Sequence, residues 1–128
     1  VQASIKDALN EELKKVITEM KLDQISFGKI NHERHIDRLR KWIDPEKVIY
    51  GNVSDKKHLY LSPTLIDRVL WDDPIMGEEI FGPLLPILSF DSIDVVVEML
   101  RRKEKPLALY LFTKNQNVEK EVSALSFA

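Results

Sequence analysis

The chain has 128 residues, 44% of them apolar and 31% charged, enough to bury a core in a unit of ordinary domain size. A net charge of −2 gives no concentrated positive field, so nucleic acid is not an expected partner. No apolar run approaches the ~18 residues of a membrane span, Val1 to Met20 is charged and amphipathic rather than a signal sequence, and the lack of cysteine excludes disulfides and thiolate metal sites. These features together predict a cytosolic protein.

Ile5, Leu9, Leu13, Val16, Ile17 and Met20 recur at helical spacing and predict an amphipathic helix over about residues 3–20. Ile36, Leu39 and Ile43 predict a second helix, with Asn31 as its cap, that stops near Asp44-Pro45 because the residue before proline leaves the helical region. Lys47 to Tyr50 and Leu59 to Ile66 read as strands, the second despite Pro63. After Asp72-Asp73-Pro74 a helical turn is expected to carry Glu78 and Glu79 until Gly82-Pro83 breaks it. A strand is expected from Leu84 to Phe90, although Pro86 cannot donate to a ladder.

Asp91-Ser92 can cap a helix with Ile93, Val96, Val97 and Leu100 facing inward, and Arg101, Arg102 and Lys103 complement its C-terminal end. Leu107 to Phe112 is a nearly continuous apolar run, as a strand covered on both faces requires, and Asn117 to Leu125 closes the chain with a helix. Alternating strands and helices predict an α/β fold with a layered, largely parallel sheet and flanking helices, in one unit over residues 1–128.

Few residues attract a chemical reading on patterning alone. Glu78 and Glu79 read as solvated charges. Neither this pair nor Asp72-Asp73 converges on one point, and no histidine stands at metal-ligand spacing from them. His32 and His35 share a helix face without a third ligand, which leaves packing or hydrogen bonding as the reading of His35. His58 is expected at the surface, and Trp42 and Trp71 at the ends of elements.

The stretch Glu78-Glu79-Ile80-Phe81-Gly82-Pro83 resembles a cofactor-contacting motif of aldehyde dehydrogenases. Arg101-Arg102-Lys103-Glu104-Lys105-Pro106-Leu107-Ala108-Leu109-Tyr110 is similar to a segment of the class 3 and fatty aldehyde dehydrogenase branch. Phe27-Gly28-Lys29-Ile30 with Arg34-His35-Ile36, and Tyr60-Leu61-Ser62-Pro63-Thr64-Leu65-Ile66, resemble two further segments of that branch. Asn31, His32 and Ile36 depart from its usual residues, as does the ending Ser126-Phe127-Ala128.

The resemblance implies part of an aldehyde dehydrogenase catalytic domain, with the coenzyme-binding domain and cysteine loop expected before Val1 and a terminal strand after Ala128. By position in the motif, Glu79 would hold the nicotinamide ribose and Phe81 would pack against the nicotinamide end. Gly82 would give the backbone freedom to turn, Pro83 would stiffen the exit, and Glu78 would be structural or exposed. The complete enzyme implied is one that oxidises fatty or aromatic aldehydes with NAD or NADP. Lacking a cysteine nucleophile, this chain alone is expected neither to turn over nor to bind the cofactor tightly. The alternative is a non-catalytic truncated paralogue that associates with itself or with a full-length dehydrogenase.

Overall fold

A computed structural model describes residues 1–21, 27–104 and 106–125. Lys105 and Ser126 to Ala128, which figure in the resemblance, lie outside the described residues. Two compact units divide the chain: Val1 with Ile5–Ser89, and Gln2–Ser4 with Phe90–Ala128.

The first unit opens with helix α1 (Lys6–Glu19). Its half-covered face runs through Lys6, Asn10, Leu13, Lys14 and Ile17, while Ile5, Leu9, Val16 and Met20 are exposed. Polar links accompany this choice of face: Lys6 Nζ reaches Asp67 Oδ2 at 2.6 Å, and the Thr18 and Tyr50 hydroxyls lie 3.0 Å apart. Helix α2 (Glu33–Lys41) is capped by His32 rather than Asn31. His32 is extended, at φ −163° and ψ 160°, and its Nδ1 accepts from the His35 amide at 3.1 Å, meeting one of the orphan donors of the first turn. At the other end Asp44 caps the short 3-10 turn Pro45–Lys47.

Strands β1 (Val48–Tyr50), β2 (Ser54–Asp55), β3 (Tyr60–Leu61), β4 (Thr64–Ile66) and β5 (Leu84–Pro86) follow. They form a three-stranded sheet in the order β1-β4-β5 and a β2-β3 hairpin. The larger sheet is mixed: β4 runs antiparallel to β1 and parallel to β5, with Thr64 opposite Leu84 and Ile66 opposite Pro86. Central β4 is buried throughout, as a strand covered on both faces should be.

The strand expected over Leu59 to Ile66 splits at Ser62-Pro63. There the Val53 amide bonds to the Ser62 hydroxyl and the Asn52 amide to the Thr64 hydroxyl, side-chain partners beside a backbone bond from the Ser62 amide to the Val53 carbonyl. The strand expected over Leu84 to Phe90 is cut to three residues. Pro86 falls on β5, at the sheet margin, where its missing N–H breaks no second ladder. Ile30, Ile36, Leu39, Leu61, Ile66, Val69, Ile75 and Leu84 form the core and fix α2 against the segment that leads into β5.

Asp67 is buried beside Lys6. Burial alone would raise its carboxyl, but the Lys6 hydrogen bond and charge, with the Arg68 amide, outweigh it and hold the group below the usual carboxylate range. Asp73 is likewise lowered, by Lys47 Nζ at 2.5 Å and the Leu70 amide.

In the second unit, helices α3 (Ile93–Arg102) and α4 (Gln116–Ser123) pack through Val97, Val122 and Leu125, with Ile93, Leu100 and Val118 alongside. Ser92 and Asn115 cap them through their side-chain oxygens. The buried strand expected at Leu107 to Phe112 does not form. The segment lies outside the sheets among the described residues, with Leu107 96% and Phe112 94% exposed. Apolar content makes a strand only where a neighbour takes up its backbone groups, and no strand pairing among the described residues involves this segment.

Candidate functional site

The Glu-Glu-Ile-Phe-Gly-Pro segment is a loop clamped at both ends. A 3-10 turn at Pro74–Met76, with Ile75 buried, precedes it and ends at Gly77, so Glu78 and Glu79 stand beyond the helical turn expected to carry them. The Pro74 ring fixes the first turn, and Asp73 before it is extended, as proline demands. At the far end the Thr64 amide donates to the Pro83 carbonyl at 2.8 Å, which stitches the loop into the sheet.

Between these ends, α2 holds the loop by its carbonyls. Arg38 Nη1 donates to the Glu79 carbonyl at 3.2 Å and to Glu78 Oε2 at 2.9 Å; Nη2 donates to the Ile80 carbonyl at 2.7 Å. Its Nε donates to His35 Nδ1 at 3.2 Å, and the guanidinium lies 4.4 Å above the Trp42 ring centroid. His35 Nε2 sits 2.6 Å from the Phe81 carbonyl. A carbonyl only accepts, so Nε2 carries the proton and Nδ1 is the acceptor, which makes His35 a neutral imidazole in this arrangement.

Phe81 adopts a left-handed backbone at φ 46°, an uncommon conformation for a bulky residue. The residue is 73% exposed. Gly82 takes the other part of the turn for a different reason than expected. Its φ is not positive; a Cβ there would lie 2.5 Å from Leu39 Cδ1, so glycine is needed for close packing.

The result is an open cleft of about 510 Å³ lined by Lys29, Ile30, Asn31, His32, His35, Arg38, Glu78, Glu79 and Phe81. Glu79 and Phe81 therefore share one cleft. The Glu79 carboxylate is exposed and makes no hydrogen bond or ion pair among the described residues, whereas Glu78 is paired with Arg38. His32 and His35 meet edge to face with centroids 6.1 Å apart, His32 Nδ1 serving the helix cap and His35 Nε2 the loop. Among the described residues no three histidine or acidic side chains are placed to hold a metal. His58 is at the surface, paired with Asp55 at 2.7 Å.

Arg38 is the residue that sequence reasoning missed. The signal was there: His35, Arg38 and Trp42 are spaced three and four apart and so form one stripe along α2, beside the apolar one.

The sequence matches the Aldehyde dehydrogenase family over residues 1–126. The chain belongs to the aldehyde dehydrogenase family. It is 36% identical over 124 residues to the dimeric NADP-preferring aldehyde dehydrogenase of Rattus norvegicus, covering 97% of this chain and 27% of that protein. It is 37% identical over 122 residues to aldehyde dehydrogenase family 3 member H1 of Arabidopsis thaliana, covering 92% of this chain and 25% of that one. The substrate-bound state of Staphylococcus aureus AldH superposes with a TM-score of 0.91 at 36% identity, covering 98% of this chain and 29% of that chain. The class 3 branch and the α/β catalytic-domain fold of the aldehyde dehydrogenases are thus both established for these residues, which span little more than a quarter of such relatives.

Proposed function

We propose that the chain is the part of a class 3-type, NAD- or NADP-dependent aldehyde dehydrogenase that holds the nicotinamide ribose. One observation carries this reading: the loop backbone at Glu79, Ile80 and Phe81 is tied down by Arg38 and His35 while the Glu79 carboxylate is left free in the cleft. A ribose presents two adjacent hydroxyl donors, and a carboxylate has two oxygens at matching spacing. The cleft volume of about 510 Å³ falls in the ordinary range for a small-molecule site. The exposed Phe81 ring offers a flat apolar face to the nicotinamide end.

When bound, the cofactor supplies the hydride acceptor for aldehyde oxidation. The residues of this chain bind and orient: Glu79 accepts from the ribose hydroxyls, Phe81 limits where the ring lies, and His35 with Arg38 fixes both through the backbone. A thiol nucleophile has no counterpart within these 128 residues, so neither turnover of fatty or aromatic aldehydes nor tight cofactor binding is expected of them alone. No helix among the described residues is long and apolar enough to cross a membrane. The test is the intact mass of the protein from its source, with aldehyde-dependent NAD(P)H formation assayed on the same sample. A larger, active species supports the reading; a species of about this mass with no turnover overturns it.

A second reading, a truncated paralogue that acts by association, is favoured by the exposed Ile5, Leu9, Val16 and Met20 of one unit and Leu107, Tyr110 and Phe112 of the other. Its partners would be a second copy or a full-length dehydrogenase. Sedimentation of the chain with and without such an enzyme tests it: a complex supports it, and a monomer that ignores the enzyme rejects it.

A further inference from the structure

We propose that Glu78 is a positioning residue of this cleft: by pairing with Arg38 it keeps the guanidinium from capturing the Glu79 carboxylate. The inference rests on the reading of Glu79 as the ribose ligand and deepens it by giving the neighbouring acid a distinct task. Adjacent glutamates differ here in kind. Glu78 Oε2 is 2.9 Å from Arg38 Nη1, and the same Nη1 is 3.2 Å from the Glu79 backbone carbonyl, so the cation stands beside both glutamates and is paired with one.

An arginine has five N–H donors, and four contacts account for most of them: His35 Nδ1, Glu78 Oε2 and the carbonyls of Glu79 and Ile80. Only one of these partners carries charge. Remove it, and the guanidinium stays held over the loop by two carbonyls and the Trp42 face, beside the residue whose carboxylate has no partner among the described residues. A carboxylate turned onto the arginine and held there bidentately is drawn away from the position in which both of its oxygens could face a diol. Glu78 thus neutralises the cation that the loop needs for its shape, and the ribose ligand remains available.

Three variants of the 128-residue chain test this, by crystal structure and by nicotinamide riboside titration. Glu78 is 63% exposed at its side chain, so Glu78→Gln should fold as the parent does, which thermal melting checks. The expected result is Glu79 turned onto Arg38 and riboside affinity reduced roughly tenfold. Glu78→Asp, which keeps the charge, should restore both; loss of a side chain that merely stabilised the loop would not turn Glu79 onto Arg38. The inference is overturned if Glu78→Gln leaves Glu79 free of Arg38. Glu79→Gln separates this from the ribose reading: if that variant takes up riboside as the parent does, the ribose reading fails, while the Glu78→Gln structure still decides whether Glu78 keeps Arg38 off Glu79.

Discussion

Phe81 and Gly82 divide the labour of one turn, with the left-handed φ on the phenylalanine and the space requirement on the glycine. Gly82→Ala is therefore expected to displace buried Leu39 and destabilise the first unit by about 1–3 kcal/mol, read from its urea midpoint. Leu39→Ala, which empties the same contact, should cost about 2–5 kcal/mol. Arg38→Lys keeps the charge but loses the planar fork, so amide exchange over residues 78–82 should quicken while the global midpoint moves little. Among the residues lining the cleft, the motif marks Glu79 and Phe81, whose cofactor role is proposed, and of the packing or hydrogen bonding expected for His35 the hydrogen bond is the one that forms. The role of Gly82 was not legible, since the atom it avoids belongs to a helix 43 positions earlier, and sequence carries no record of that approach.

Local signals told most about elements where the chain meets its own needs. Helices α1 to α4 follow from periodicity, with side-chain caps at α2, α3 and α4. Where a partner segment decides the outcome they told less, as at Leu107 to Phe112, whose apolar run reads as a buried strand and stands exposed. The ties between elements make a pH prediction. Asp67 and Asp73 have lowered carboxyl groups in the folded chain, so they add stability that is present above the unfolded value of ~3.9 and is lost as pH falls through the folded one. Lys6 is raised, mainly by its hydrogen bond to Asp67, so its contribution is present below ~10.4 and is lost as pH rises through its folded value. Urea midpoints should fall below about pH 4 and again at strongly alkaline pH. Asp67→Asn should flatten both limbs, and unchanged limbs in that variant would contradict the pairing.

At the scale of the whole molecule, four family-like segments in order identified the branch, and the family match over residues 1–126 agrees. What sequence did not reveal is how the segments cooperate: the Arg34-His35 segment reaches the Glu79 loop through His35, and Arg38, outside every motif, does most of the holding. The central claim is that this cleft grips a nicotinamide ribose through Glu79. The most direct measurement is an amide-resolved NMR titration of the chain with nicotinamide riboside, run in parallel on Glu79→Gln. The account predicts shifts over Lys29 to His35 and Glu78 to Gly82 that saturate at roughly millimolar ligand, with the variant weaker by about tenfold. Shifts elsewhere, or equal affinity for the variant, would contradict it.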